Sequence, residues 1–169
     1  MKALPHLTAC LLLAIGTATT QAQVNQLGQG QRPAPTASGE PVERVTVEQV
    51  AKLLQDSGYR AEIVQGTRNR YIRSGLSGRR IAIYMYDCKE EACGSFQFSA
   101  IFVKNPKYTL DFVNAWNKAR RYAKAYLDND GDLNFEWDID LDGGVTNDFL
   151  KTTILSFENY LGTFDKFTP

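Results

Sequence analysis

The sequence predicts an α+β domain in which an antiparallel β-sheet packs against helices, in the order α-β-β-β-β-α-β-α. Two observations carry this prediction. Short runs of β-branched and aromatic residues, divided by glycines and polar turns, follow a first amphipathic segment. Further along, apolar residues spaced three and four apart give way to strict alternation, and helical spacing then returns. Strands this close in sequence pair most simply as antiparallel hairpins.

Residues 1–22 have the features of a secretory signal peptide. Lys2 supplies a positive charge, residues 7–15 form a short apolar run, and small residues lead to a cleavage site after Ala22. The run is shorter than the roughly 20 residues of a membrane span, so we expect no span after cleavage. Cys10 precedes most of the run, whereas the lipidated cysteine of a lipoprotein follows it. We therefore expect a periplasmic or secreted bacterial protein.

Residues 23–41 are rich in glutamine, glycine, proline and small polar residues. Such a segment buries too little apolar surface to offset its ordering entropy, so we predict a disordered linker before a folded domain of residues 42–169. Signal cleavage also removes His6, the chain's one histidine, and changes the formal net charge from +0 to −1 because Lys2 is lost. A near-neutral chain gives no argument for nucleic-acid binding.

The first helix is predicted to begin at Thr46, which can form a capping box with Gln49, and to end at Gly58. One of its faces carries four apolar side chains: Val47, Val50, Leu53 and Leu54. Four β-type runs follow, at residues 59–64, 70–73, 79–86 and 95–104. The last two are nearly apolar, which predicts central strands covered in part on both faces.

Cys88 and Cys93 lie in the loop between these two central strands. In an oxidising compartment the pair predicts a disulfide bond, which in so short a loop stabilises by roughly 2 kcal/mol on the chain-entropy model. A metal site is disfavoured because no histidine completes a soft ligand set. A redox-active pair would favour the C-x-x-C spacing.

A long amphipathic helix is predicted over residues 108–127. Its apolar stripe recurs at spacings of four and three: Phe112, Trp116, Ala119, Ala123 and Tyr126. Asn114 and Asn117 are three residues apart and therefore neighbours on this helix. Two interpretations stay open for them: hydrogen bonds to a sheet edge or loop, or an amide pair that binds a ligand.

Asp128, Asp130 and Asp132 form an acidic turn after this helix, with a spacing that suggests a calcium loop. The match is incomplete, because Leu133 stands where such a loop has glycine and Ile139 where it has glutamate. Aspartate also favours turns through local hydrogen bonds. We expect a plain turn without a metal ion or cofactor, and a calcium-stabilised structural domain is an alternative.

The segment after the turn alternates strictly, which predicts a strand with one buried face and one acidic face. Four acids form the candidate interaction face: Asp132, Glu136, Asp138 and Asp140. Residues 128–148 hold eight acids and no lysine or arginine, whereas residues 60–80 hold six arginines and one acid. Either the arginine-rich strands or solvent neutralise these acids, or the acids recognise a basic partner or the arginines of a second subunit. Thr146 is predicted to cap a last helix.

Several motifs resemble the YbjN domain family, a family of bacterial sensory transduction regulators. They are V-x-x-L-L-Q-D-S-G-Y-R-A at residues 50–61, the C-x4-C followed by S-F-Q-F at 95–98, F-V-N-A-W-N at 112–117, Y-L-D-N-D-G-D at 126–132 and D-L-D-G-G-V at 140–145. The resemblance implies the fold of type III secretion chaperones, which is often dimeric. It carries over no catalytic residues. Those chaperones act in the cytosol, so the resemblance bears on fold more than on role.

The expected function is a non-enzymatic module that binds a protein or peptide partner, with a regulatory or chaperone-like role and a homodimer as one arrangement. Without histidine, Ser-His and Cys-His catalysis are excluded for the folded domain. The enzymatic alternative is a carboxylate-dependent hydrolase. Glu136 and Asp138 share one strand face at about 7 Å, which falls within the range of inverting glycosidases.

Overall fold

The structure, a computed structural model, describes residues 40–67 and 69–169. The signal peptide predicted for residues 1–22 and nearly all of the linker predicted for residues 23–41 lie outside the described residues. The elements are α1 (Val47–Asp56), β1 (Ala61–Gln65), β2 (Arg70–Leu76), β3 (Arg79–Lys89), β4 (Ala92–Phe102), α2 (Leu110–Ala119), β5 (Lys124–Leu127), β6 (Leu133–Asp140) and α3 (Asn147–Phe167). Within this part of the chain, no helix is long and apolar enough to cross a membrane.

The six strands form one antiparallel sheet in the order β1-β2-β3-β4-β6-β5. The predicted α+β class is confirmed, and so is the order of elements, to which the structure adds one short strand. As predicted, β3 and β4 are central, and the first four strands are joined as hairpins because each connection is short. The capping box predicted for Thr46 and Gln49 opens α1.

The added strand corrects the helix predicted over residues 108–127. The helix α2 ends at Ala119, Arg120 is extended, and Tyr122 adopts a φ of 69°. Residues from Lys124 onward then form β5, which pairs with β6. The Trp116 indole nitrogen holds this reversal by donating a 3.1 Å hydrogen bond to the carbonyl oxygen of Ala123. A four-residue strand is too short for its alternation to outweigh the helical spacing that Ala123 and Tyr126 continue.

The three helices pack against one face of the sheet, which we call the helix-covered face. The Phe157 ring of α3 stacks on Phe98 at 4.7 Å, and Phe164 stacks on Phe135 at 4.3 Å. The Trp116 ring of α2 meets the same Phe135 edge-on at 5.5 Å. These side chains are fully buried, and each aromatic pair adds about 0.5–1.5 kcal/mol beyond the area it buries. The core of the domain therefore lies between this face and the helices.

No helix covers the opposite face in the part of the chain that the structure describes. We call it the open face. The predicted partial cover of the central strands on both faces is nevertheless found, because on the open face Gln97 and Ser99 of β4 are buried and Tyr84 of β3 is half-buried. Tyr86 of β3 remains exposed.

Candidate interaction face

The open face consists of the residues that alternate with core positions along the sheet. Strand register sets them in rows, one of which runs Arg73, Ala82, Ser99, Glu136 and Lys124 across β2, β3, β4, β6 and β5. The next row runs Tyr71, Tyr84, Gln97 and Asp138. Neighbours in a row are about 5 Å apart. Each row therefore passes from a basic or aromatic side chain on β2 to an acidic one on β6, and in the first row Lys124 of β5 follows that acid.

The acidic end of the open face contains three of the four acids in the predicted interaction face: Glu136, Asp138 and Asp140. Asp138 and Asp140 are exposed, whereas Glu136 is only 8% exposed. The fourth, Asp132, lies in the turn before β6, where its carboxylate accepts a 2.8 Å hydrogen bond from the Lys104 amide. The structure therefore places three of these acids side by side and assigns the fourth to the turn.

Lys124 of β5 neutralises part of the acidic end. Its ammonium nitrogen lies 2.8 Å from a carboxylate oxygen of Asp138 and 3.5 Å from one of Glu136. The hydrogen bond to Asp138 is the main cause that raises the pKa of Lys124. The arginine-rich strands cannot take this role, because β4 separates β2 and β3 from β6. The sequence did not indicate this ion pair, because Lys124 was assigned to a helix.

Two neutral side chains complete this network. The hydroxyl group of Tyr126 donates a 2.9 Å hydrogen bond to Glu136, and the Gln97 amide nitrogen donates a 2.6 Å bond to Asp138. Burial, followed by the bond to Glu136, raises the pKa of Tyr126 to about 12. Glu136 is thus a buried carboxylate with a hydrogen-bond donor and a cation beside it, as buried polar groups generally are.

The basic end of the open face contains Arg60, Arg73 and Arg80, with Glu62 as the one carboxylate among them. Arg73 lies 3.5 Å and Arg60 3.8 Å from Glu62. Among the described residues, no carboxylate lies within 4.0 Å of Arg80. These side chains line a shallow depression of about 420 Å³ beside Gly75. The basic end therefore keeps one guanidinium group without a carboxylate partner.

Four tyrosines lie on the open face and were not recognised in the sequence: Tyr71, Tyr84, Tyr86 and Tyr126. The Tyr71 and Tyr84 rings are 5.4 Å apart, and Tyr86 remains 47% exposed. Burial is the main cause that raises the pKa of both Tyr84 and Tyr86. Tyrosine and arginine are enriched where proteins bind one another. The alternation of Tyr84 and Tyr86 with the aliphatic residues of β3 shows that they share one face of the strand, but it does not show that this face is open.

Asn114 and Asn117 do not form an amide pair. The Asn117 side chain donates a 2.9 Å hydrogen bond to the carbonyl oxygen of Ala125 and accepts a 2.9 Å bond from the Ala125 amide. It therefore satisfies both backbone groups of one residue on the edge strand β5. Asn114 is exposed on α2. The geometry of Asn117 matches the sheet-edge interpretation.

The aspartates of the predicted calcium alternative are used within the turn. One Asp128 carboxylate oxygen accepts hydrogen bonds from the amides of Asp130 and Asp132, and the other accepts one from the Asn134 side chain. The Asn134 bond is the main cause that lowers the pKa of Asp128. In residues 40–67 and 69–169, no three acidic, cysteine or histidine side chains converge as a metal site requires. The turn is held by its own hydrogen bonds.

Cys88 and Cys93 face each other at the end of the β3–β4 hairpin and are joined by a disulfide bond. Arg44 braces the same hairpin, since its guanidinium group donates to the carbonyl oxygens of Asp87 and Ala92 and pairs with the Asp87 carboxylate at 2.9 Å. Val45 adds two backbone hydrogen bonds to Cys93. The disulfide therefore lies within a structural junction.

The carboxylates of the predicted hydrolase alternative share one cation, although Glu136 is buried and Asp138 is exposed. Glu136 and Asp138 contact the same ammonium group, and each also accepts a hydrogen bond from a neutral donor. A glycosidase pair needs one protonated acid and one ionised carboxylate in distinct environments. In this structure Lys124 bridges the two carboxylates in an ion-pair network.

Comparison with known proteins gives a family and a fold. The model of the YbjN family, described as "Putative bacterial sensory transduction regulator", matches residues 46–167. The crystal structure of YbjN from E. coli, described as "a putative transcription regulator", is similar with a TM-score of 0.56 and 17% sequence identity, over 73% of this chain and 90% of that chain. At this identity the likeness shows the fold alone. No curated protein sequence matches the chain.

Proposed function

The chain belongs to the YbjN family, described as regulators, and on that premise we propose that it is a non-enzymatic periplasmic or secreted module that binds a protein or peptide partner. Its role is regulatory or chaperone-like. The observation that carries the proposal is the open face. Tyr71, Tyr84 and Tyr86 share β2 and β3 with the arginine-rich end, the acidic end lies across β4 on β6, and Tyr126 lies beyond it on β5. A face of this composition is suited to binding another protein chain.

The tyrosines supply the binding energy in this proposal. Each presents a large ring with few rotatable bonds, so it contacts a partner at a low cost in conformational entropy. The exposed Ile101 lies on the same face, and a shallow hollow of about 540 Å³ lies between it, Tyr71 and Tyr84. Hot spots of protein interfaces are typically tyrosine, tryptophan and arginine at the centre of a patch.

The charges at the two ends supply orientation. A partner with an acidic and a basic segment meets opposite charges at both ends in one direction and like charges in the reverse direction. The acidic end also disfavours nucleic acid, because a phosphate backbone laid across the face would meet Asp138 and Asp140. A protein or peptide suits the face better than a polyanion.

The proposal is tested by site-specific photo-crosslinking in the producing bacterium. A photoreactive amino acid is placed at Tyr84 on the open face and, as a matched control, at Leu155, an exposed apolar position on α3. We expect the Tyr84 position to capture a distinct protein that the Leu155 position does not. Addition of Arg80→Glu should weaken that capture. The same adducts at both positions, or capture that ignores Arg80→Glu, would contradict the proposal.

A further inference from the structure

We propose that a second copy of this chain is one partner of the open face, with the basic end of each copy against the acidic end of the other. This inference rests on the proposed function, because it names an occupant for the same face. Two features support it: the separation of charge across the face, and the hollow at its centre. Each of these features can fit against the same feature of a second copy.

The two ends of the face match in number and oppose in sign. The basic end has three arginines and one carboxylate, Glu62, and the acidic end has three carboxylates and one lysine, Lys124. A two-fold axis lies between the copies, at right angles to the line that joins the two ends. This axis brings each basic end over an acidic end, so that both contacts form at once. An axis along that line instead sets like charges together, which is repulsive.

Two charged side chains of the face have no oppositely charged neighbour among the described residues, and a second copy would supply one. Arg80 is exposed, with no carboxylate within 4.0 Å among the described residues, and Asp140 is exposed with no cation in that range. The other charges of the face already have neighbours on their own chain. The unpaired charges therefore lie one on each end, and the two-fold arrangement supplies each end with the opposite charge.

The middle of the face has a shape that can meet its own copy. Ala82 and Ser99 are small and adjacent in one row, so the surface is low there. Ile101 and Tyr84 border this hollow, and Ile101 is 57% exposed. Across a two-fold axis near the hollow, the projecting side chains of one copy meet the small residues of the other. Apolar contact is then made at the centre and ionic contact at the rim, as in known interfaces.

The size of the face fits a stable association. Six strands about 4.8 Å apart, with roughly eight residues of about 3.4 Å along the central strands, give a face of roughly 700 Å². Specific interfaces bury about 800 Å² on each partner. Because one face cannot contact two partners at the same time, self-association and binding of a different partner exclude each other.

Sedimentation velocity of the full chain over a concentration range is the direct test. Two variants reverse the unpaired charges: Arg80→Glu, which makes the face more acidic, and Asp140→Lys, which makes it more basic. We expect each variant alone to self-associate about tenfold more weakly than the parent chain. An equimolar mixture should associate at about the parental strength, because opposite faces then meet. The control exchanges Lys151→Glu and Asp148→Lys, on exposed positions of α3, should leave association unchanged.

Three outcomes would overturn the inference: a parent chain that stays monomeric at all concentrations, association that ignores both face variants, or a mixture that does not recover. Circular dichroism and a melting curve on each variant separate misfolding from lost association. The double variant Arg73→Glu with Arg80→Glu tests independently whether a more acidic face weakens self-association.

The crosslinking at Tyr84 distinguishes failure of the dimer from failure of the proposed function. Capture of a different protein by a monomeric chain leaves the proposed function intact. Self-crosslinks without a different partner support the dimer alone.

Discussion

The two faces of the sheet are made of alternate residues of the same strands, yet they differ in what surrounds them. In β3, Ile81, Ile83 and Met85 lie in the core, whereas Ala82, Tyr84 and Tyr86 point to the open face. The first set is fixed by packing against the helices. The second set is free of that constraint and can serve recognition. The comparison teaches that core packing uses alternate positions of each strand, which leaves the other positions available for the binding that we propose.

Truncation of a core ring should give the largest effect and is the strongest test of this division. Phe164→Ala removes a fully buried ring that contacts Phe135, Trp116 and Phe102, and should lower the free energy of unfolding by about 3–5 kcal/mol. Tyr86→Ala on the open face should cost less than about 1 kcal/mol. Urea denaturation measures both. Equal losses would mean that the open face is also a structural core.

Removal of the disulfide should rank next. Reduction, or the double variant Cys88→Ser with Cys93→Ser, should lower the free energy of unfolding by roughly 2 kcal/mol, because a short loop closed by a covalent bond is freed in the unfolded chain. The measurement is denaturation with and without reductant. The parent chain should respond to reductant and the double variant should not. A response of both would point to an effect other than this bond.

The edge strand gives a smaller effect with a matched control. Asn117→Ala removes two hydrogen bonds to Ala125 and should cost about 1–2 kcal/mol, and it should speed hydrogen exchange of the Ala125 amide. Asn114→Ala, on the same helix and exposed, should change neither quantity. If the two variants behave alike, the Asn117 contact does not hold the strand. Because β5 carries Lys124 and Tyr126, its loosening should also alter the open face.

Alkaline titration gives the smallest effect and compares the two sides of the sheet. The pKa of Tyr126 on the open face and that of Tyr59, bonded to Glu158 of α3, are both raised to about 12. A raised folded pKa contributes stability that is full below pH 10, the ordinary tyrosine value, and is lost as pH rises through about 12. Tyrosinate absorbance reports both groups. Glu136→Gln should lower the pKa of Tyr126, and to a smaller extent those of Tyr84 and Tyr86, and leave that of Tyr59 unchanged. Glu158→Gln should lower the pKa of Tyr59 and leave that of Tyr126 unchanged.

The sequence predicted the elements whose signals are local. The alternation of β6, the caps at Thr46 and Thr146, and the position of the cysteine pair each depend on residues close in the chain. The neighbours of the acidic residues were not predictable in this way. Lys124 contacts Glu136 and Asp138 only because β5 pairs with β6. The spacing of Ala123 and Tyr126 predicts a helix at these residues, so the sequence did not predict β5.

The tyrosines of the open face were missed for a different reason. In the sequence, Tyr84 and Tyr86 add to the apolar character of β3 and look like core residues. Only the position of the helices, which is a tertiary property, decides which face of a strand is covered. The acids were recognised because charged side chains mark the polar face of an alternating strand, whereas a phenol suits both a core and an interface.

The contact between Asn117 and Ala125 has a further consequence for how chains behave at high concentration. A strand at the border of a sheet exposes backbone donors and acceptors on which another chain can add a strand, and repeated addition builds fibres. The Asn117 amide occupies the donor and the acceptor of Ala125, as an adjoining strand would. The Asn117 side chain thus takes the place of an adjoining strand at Ala125 and blocks strand addition at that point of β5.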